Sequence, residues 1–267
     1  MNDALLRRID AYLDAVPRAV ARVEAIGPFT LFVTEGPGWP YYARPKRGAT
    51  TFAARDVLAV RARQRELGVP EALEWVVELT PGVGEAARAA GLQVVDHPLM
   101  HLPAAGLRAQ DPPAGARLDL VSSEADVAAA QAVAAVAFSN PGTQVSPAGH
   151  DAVVQTAATL TPATVRAAVD RIARGLTVTA VAVVEGRPVA VGSHQPVEGA
   201  TEIVGVGTVP AFRCRGLGAA VTSMLVRDAI ARGVRTIFLS AGDDPIARVY
   251  AGLGFLRIGT AGAADPA

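Results

Sequence analysis

The twelve residues Val209-Pro-Ala-Phe-Arg-Cys-Arg-Gly-Leu-Gly-Ala-Ala220 constrain the fold of this chain more than any other segment. They follow a strand-like run, Thr201-Glu-Ile-Val-Gly-Val-Gly-Thr208, and open a helix-like one from Leu217 to Arg232. A tight loop with Gly216 and Gly218 at a strand-to-helix junction leaves several backbone N–H groups unpaired and pointing one way. Those donors, the helix dipole and the flanking Arg213 and Arg215 make a site for a pyrophosphate-sized anion. Taken alone, the loop reads equally well as a glycine-rich solvated turn. The rest of the chain decides between the two.

The 267 residues suit one large or two small domains, with ample apolar content for buried cores. Twenty-five basic residues balance twenty-five acidic ones, so no net field draws nucleic acid or an anionic membrane. The only cysteine, Cys214, excludes an internal disulfide and zinc-finger spacing, and fits a reducing cytoplasm. The first residues, Met1 to Asp10, read as an amphipathic helix rather than a signal peptide, because acidic residues interrupt them early. No apolar stretch reaches the roughly 18 residues that a membrane helix requires. The expectation is a soluble cytoplasmic α/β protein without nucleic-acid or membrane partners.

Pro103 to Pro113 is rich in proline and has no apolar period, which marks a linker. The expected division is an N-terminal α/β domain over 1–102, a linker over 103–115 and a larger domain over 116–267. In the larger domain, Leu118–Val121 reads as a strand and Ser123 caps a helix reaching Ala137. A second helix covers Thr161 to Gly175, with Pro162 in its first turn. Strands follow at 177–184, 188–195 and 201–208, joined by tight hairpin signals. The glycine loop and its helix come next, then a buried strand at Thr236–Ser240. Asp244-Pro245 starts a short helix ending at Gly254, and Phe255–Ile258 is a last strand.

The N-terminal segment carries the later half of this pattern again. Ala54–Leu67 reads as a helix closed by Gly68, Glu74–Thr80 as a strand, and Pro81 starts a helix leading to Gly91-Leu92. Phe29–Val33 reads as an earlier strand. The phosphate loop is missing, with only Arg47-Gly-Ala49 in its place, and Ala87 stands near where Tyr250 falls in the later copy. A degenerate duplication and an unrelated α/β domain both fit.

From Thr201 to Ile258 the chain strongly resembles the GCN5-related N-acetyltransferases (GNAT superfamily), and more loosely back to Ala116. Glu202-Ile-Val, Arg213-x-x-Gly216-x-Gly218, Phe238-Leu-Ser and Ala247-x-x-Tyr250-x-x-x-Gly254-Phe255 stand in the family's order. The resemblance implies the GNAT fold: a mixed twisted sheet, splayed at its central strand and flanked by helices, here with a smaller α/β, GNAT-like N-terminal domain. It implies acetyl-CoA as co-substrate, with pantetheine in the splay like an added strand. Backbone groups around Val206 and Thr208 would hold the pantetheine and acyl carbonyl. The loop Arg213, Cys214, Arg215, Gly216, Leu217, Gly218 and Ala219 would hold the pyrophosphate. The activity implied is direct N-acetylation of a primary amine on a small molecule, peptide or protein. No metal is called for, since His97, His101 and His150 show no ligand spacing.

Direct acylation needs a free amine lone pair. Deprotonating a lysine-like amine of pKa near 10.4 at pH 7 costs about 4.6 kcal/mol, and a nearby carboxylate can take that proton. Glu202 is the candidate base, at the spacing from Arg213 used by histone-acetylating relatives; its other reading is a solvated strand-end carboxylate. Tyr250 matches the family's tyrosine acid for the departing thiolate; its other reading is an aromatic covering the helix–sheet seam. His194 reads as a structural histidine or as a side chain facing the acceptor pocket. Asp228 interrupts the apolar face of its helix without evident cause. The segment 138–161 is expected to help line the acceptor pocket.

Three other readings compete. A dinucleotide fold is disfavoured by Val221 at the third glycine position and by the bulky Arg213-Cys-Arg215 turn. A Walker loop lacks its Gly-Lys-Ser/Thr. A non-catalytic acyl-CoA sensor, whose N-terminal half supplies a regulatory or homodimer surface, remains the alternative to an enzyme.

Overall fold

A computed structural model describes residues 2–38 and 40–266, and these divide into two compact units. The first unit holds residues 1–100, 240–244 and 257–267, and the second holds 101–239 and 245–256. The division departs from the expected 116–267 domain at its end. Residues beyond Leu256 join the first unit, whereas the expected linker belongs to the second.

The first unit opens with α1 (Asn2–Arg18), whose Leu6, Ile9, Tyr12 and Leu13 are buried as one apolar stripe. Strands β1 (Ala21–Ile26), β2 (Phe29–Thr34) and β3 (Ala43–Pro45) follow. Next come α2 (Ala54–Glu66), β4 (Leu73–Val76), α3 (Gly82–Ala89) and β5 (Gln93–Leu102). Phe29, Leu31, Val57, Val60, Trp75 and Val83 form the centre of its core.

The second unit opens with β6 (Ala116–Leu120) and α4 (Glu124–Phe138), capped by Ser123 as expected, whose Oγ accepts from the Asp126 N–H. Helix α5 (His150–Ala157) is absent from the sequence reading, which had no apolar period to find there. Helix α6 (Pro162–Ala173) is capped by Thr161. Strands β7 (Val178–Val184), β8 (Arg187–Val197) and β9 (Ala200–Thr208) form an antiparallel meander. A single 3₁₀ turn at Pro210–Phe212 leads to α7 (Leu217–Ala231). After it come β10 (Thr236–Ser240), α8 (Asp244–Gly252) and β11 (Leu256–Asp265). Strand order in this unit is β10-β9-β8-β7-β6, with β10 parallel to β9 and the other pairs antiparallel. Helix α4 packs on β8 and β9, and α7 packs on β7, β8 and β9.

β11 completes the first unit. It lies between β4 and β5 in the order β1-β2-β3-β4-β11-β5, pairing Ala261 to Ala264 antiparallel with Val76 to Leu73. The sequence reading ended this strand at Ile258, because Gly-Thr-Ala-Gly-Ala-Ala lacks the β-branched residues that mark strands. Small residues are required here. A Cβ at Gly262 would stand 2.3 Å from the Trp75 ring.

In each half of the chain an antiparallel pair precedes a helix, a parallel strand, a second helix and a final strand, the final strand of the later series being β11, which lies in the first unit. The internal order of the first unit therefore fits a diverged copy of the second.

Candidate active site

Strand β9 organises the site, because its two faces carry different groups. Thr201 and Ile203 share one face, while Glu202 and Val204 share the other. The pairing with β8 then slips: Ser193 pairs with Val204, but Val191 pairs with Gly207. Two β9 residues, Gly205 and Val206, thus oppose Gly192 alone, which is a β-bulge. Gly205 takes φ +63°, a left-handed conformation that glycine adopts without strain. The bulge shifts the alternation by one, so Val206 and Thr208 join Thr201 and Ile203 on the α7 face. A Cβ on Gly218 would meet Thr208 Oγ1 at 3.5 Å and Val206 Cγ1 at 3.7 Å. Gly207 turns the other way, towards Ala137 and Phe138 of α4.

The pairing of β9 with β10 covers only Ala200 to Glu202, ending at Glu202 opposite Phe238. Beyond that point β9 continues without β10 to Thr208. The strands part at the carboxylate, leaving the β9 backbone at Val206 and Thr208 outside that ladder.

The loop after β9 turns sharply, with Cys214 at φ +60° and Gly216 at φ +79°. The Ala220 N–H donates to the Gly216 carbonyl at 3.0 Å and opens the α-helical ladder. The N–H groups of Leu217, Gly218 and Ala219 precede it at the positive end of the dipole. These donors suit a pyrophosphate-sized anion. A Cβ on Gly216 would stand 2.5 Å from Gln110 Nε2, the movable end of a flexible side chain, so it is the φ of +79° rather than space that favours glycine there. The Gln110 amide therefore lies against this end of the helix, and nothing in the proline-rich segment signalled it.

The two arginines divide their roles. Arg213 donates to the carbonyls of Thr208 (3.2 Å), Ala137 (3.1 Å), Gln144 (3.1 Å) and Asn140, tying the end of α4 and the loop after it to the end of β9. Three of these carbonyls are half-buried and that of Gln144 is exposed, and together they hold the Arg213 guanidinium against the chain. Arg215 remains exposed at the loop, its guanidinium 5.1 Å from the centre of the Phe212 ring. The Cys214 thiol contacts the Thr143 carbonyl at 3.5 Å.

His194 and Asp228, the two residues without a clear place in the sequence, account for each other. His194 is buried on the α7 face, with Nδ1 3.0 Å from Thr201 Oγ1 and Nε2 2.9 Å from Asp228 Oδ2. It therefore faces away from the side that Glu202 occupies. Burial lowers the imidazole pKa despite the Asp228 carboxylate beside it. Asp228 is itself held below the usual carboxylate range: burial acts upward, but hydrogen bonds from Arg232 and His194 outweigh it.

Tyr250, on α8, packs edge-on against Phe255 with ring centres 6.0 Å apart. Burial pushes its hydroxyl up to about 12, so near neutral pH it is a protonated donor. On the α4 face of the sheet a cavity of about 240 Å³ lies under α4 and α6. Its floor includes Gln195, the cross-strand partner of Glu202, together with Val204 and Gly205. Of the segment 138–161, expected to line an acceptor pocket, no residue lines this cavity.

Residues 158–255 match the family model described as the acetyltransferase (GNAT) family. Among solved structures the chain is similar to a GCN5-related N-acetyltransferase from Kribbella flavida: TM-score 0.73, 24% identity, covering 98% of this chain and 96% of that one. It is similar too to a putative GNAT-family acetyltransferase from Novosphingobium aromaticivorans, with TM-score 0.53, 21% identity, and 94% and 92% coverage. A tandem GNAT protein from the clavulanic acid biosynthesis pathway gives TM-score 0.53 at 18% identity, over 89% of this chain and 78% of that one. No curated protein matches the chain. At such identities the solved structures speak for the fold, and their coverage extends over both units.

Proposed function

From the GNAT acetyltransferase domain at residues 158–255, we propose that the chain is an acetyl-CoA-dependent N-acetyltransferase that acetylates a primary amine directly. The observation that carries this reading is the two-faced β9. One face sets Val206 and Thr208 over the donor-rich start of α7, and the other sets Glu202 beside the cavity.

The residues present fit acetyl-CoA. The α7 N-terminus supplies backbone donors for a diphosphate, with exposed Arg215 adding positive charge. The β9 edge beyond Glu202 offers backbone groups to an extended pantetheine arm in the manner of an added strand. When bound, acetyl-CoA supplies an activated acetyl thioester. Glu202 accepts the proton of the incoming ammonium, directly or through water, relieving the roughly 4.6 kcal/mol that free amine costs at pH 7. The Tyr250 hydroxyl, protonated at neutral pH, donates towards the leaving thiolate.

The deciding experiment incubates the protein with acetyl-CoA and a broad panel of primary amines and reads the products by mass. An acetylated amine formed only in the presence of the protein is the expected result. Tight acetyl-CoA binding with no amine ever acetylated would leave an acyl-CoA sensor as the better description.

A further inference from the structure

The first unit has a cavity of its own, about 420 Å³, lined only by residues between Asp14 and Arg47. Strand alternation builds it. Phe29, Leu31 and Val33 of β2 belong to the core under α2 and α3, so Thr30 and Phe32 face the other side of the sheet. β1 pairs Ala25 with Thr30 and Val23 with Phe32, which puts these four on one face. Asp14 and Arg18 of α1 close the space, with the Arg18 guanidinium 5.5 Å from the centre of the Phe32 ring.

Charge is the first pointer. Arg18, Lys46 and Arg47 meet in this lining against one carboxylate, Asp14. Arg18 donates to both Asp14 oxygens, at 2.8 and 3.0 Å, so Lys46 and Arg47 are left without an acid of the lining to meet them. The Lys46 ammonium donates to the Gly27 carbonyl at 2.6 Å, and an ammonium carries three donors. Arg47 is exposed, and no hydrogen bond or ion pair holds its side chain among the described residues. A tight turn fixes its backbone: the Ala49 N–H donates to the Lys46 carbonyl at 2.9 Å, with Gly48 at φ +85°. The Arg47-Gly-Ala49 fragment, which stands in place of a phosphate loop, is therefore a turn beside this cavity and not the start of a helix.

Thr30 is the second pointer, independent of charge. It is 5% exposed and lines the cavity, and no hydrogen bond engages its hydroxyl among the described residues. An enclosed hydroxyl costs free energy unless water or a ligand bonds it. A free hydroxyl, an ammonium with spare protons and an unpaired guanidinium suit a compact anion with several acceptor oxygens. A phosphate monoester offers three such oxygens and about two negative charges near neutral pH, whereas a carboxylate offers two oxygens and one charge. At about 30 Å³ per water in the liquid, 420 Å³ corresponds to about fourteen waters, which is room for a phosphate and a sugar-sized body.

We propose that the first unit binds a dianionic phosphate group in this cavity, held by Lys46, Arg47 and the Thr30 hydroxyl, with Arg18 adding positive charge. The site stands independently of the acetyl-transfer reading, since it shares no residue with it.

Calorimetric titration of the full chain with ribose 5-phosphate, inorganic phosphate and ribonate tests this. A phosphate ligand should bind once per chain at pH 7.5, at least tenfold more tightly than ribonate, a carboxylate on a similar sugar body. The tighter of the two phosphate ligands tells a monoester site from a free-phosphate site. Affinity should weaken between pH 7.5 and 5.5, because a phosphate monoester gains a proton near pH 6 while the lysine and arginines stay charged. Arg47→Met removes an exposed side chain without a partner, so the variant should melt as the wild type does and bind phosphate at least tenfold more weakly. Thr30→Val keeps the shape without the hydroxyl and should weaken binding severalfold with the melting midpoint held or raised. Arg187→Met, an exposed arginine at the start of β8, should bind as the wild type does. No binding of either phosphate ligand at millimolar concentration, equal affinity for ribonate, or full affinity in Arg47→Met would each overturn the proposal.

Discussion

A methyl group at Gly218 would stand 3.5 Å from Thr208 Oγ1, an ordinary contact, so Gly218→Ala should fold and bind acetyl-CoA much as the wild type does. Gly218→Asp adds a negative charge among the free N–H groups of α7, where it competes with the diphosphate. Calorimetry should show acetyl-CoA affinity falling at least tenfold in the aspartate variant alone. Equal affinity in both would remove the cofactor from this loop. Glu202→Gln preserves shape but removes the base, so turnover should drop by about 10²–10⁴-fold with cofactor affinity unchanged. That deficit should narrow as pH rises towards the amine pKa and free amine becomes abundant; a deficit constant with pH would make Glu202 a positioning group. Tyr250→Phe should lower turnover without altering acetyl-CoA affinity. The glycine loop was legible from the chemistry of a strand-to-helix junction, whereas Glu202 and Tyr250 were named by the resemblance to GCN5-related N-acetyltransferases. The task of Arg213 was not legible, because its partners are carbonyls of Ala137, Asn140 and Gln144, about seventy positions earlier in the chain.

Among the elements, β8, β9 and α7 are joined by a polar chain running from buried Thr201 and His194 through half-buried Asp228 to exposed Arg232. His194 has a folded pKa below its unfolded value of about 6.5, because burial disfavours the charged ring. Below that value the unfolded chain binds the extra proton, so stability is present above about pH 6.5 and declines as pH falls. Thermal melts from pH 7.5 to 5.5 should show a falling midpoint, and His194→Gln should flatten that slope while lowering the midpoint at pH 7.5. A slope unchanged in the variant would place the pH sensitivity elsewhere. Sequence periodicity located α4, α6, α7, β7, β8 and β9 to within a residue or two, since each has a cap, a hairpin signal or a clean apolar run. It missed β1, where burial alternates irregularly along a largely exposed edge, and α5, where one buried valine makes no period. The bulge at Gly205 was visible only as a glycine; its effect on which side chains face α7 needs the pairing register.

At the scale of the whole chain, the two units differ at the helix that follows their central strand. In the first unit, the Asp56 carboxylate accepts the Ala53 N–H at 2.9 Å and occupies the start of α2 with negative charge. An anion is repelled there, so titration with acetyl-CoA should give one site per chain, and two equivalent sites would contradict that difference. The exchange of β11 has a further consequence. Residues 1–100 supply β4 and β5 but lack the strand between them, and Trp75 packs directly on Gly262 of that strand. A chain ending at Leu256 should therefore lose the native packing of its first unit, although it keeps every residue assigned to the chemistry. Trp75 is buried in this unit, so in a Trp39→Phe background indole fluorescence reports on it alone. The truncated chain should show red-shifted emission before any heating. Gly262→Val, which forces a branched side chain into the Trp75 ring, should cost about 1–3 kcal/mol and lower the midpoint of the fluorescence transition. If the truncated chain keeps a blue-shifted tryptophan and the wild-type midpoint, the first unit closes its sheet without β11 and a boundary near residue 102 is the right one.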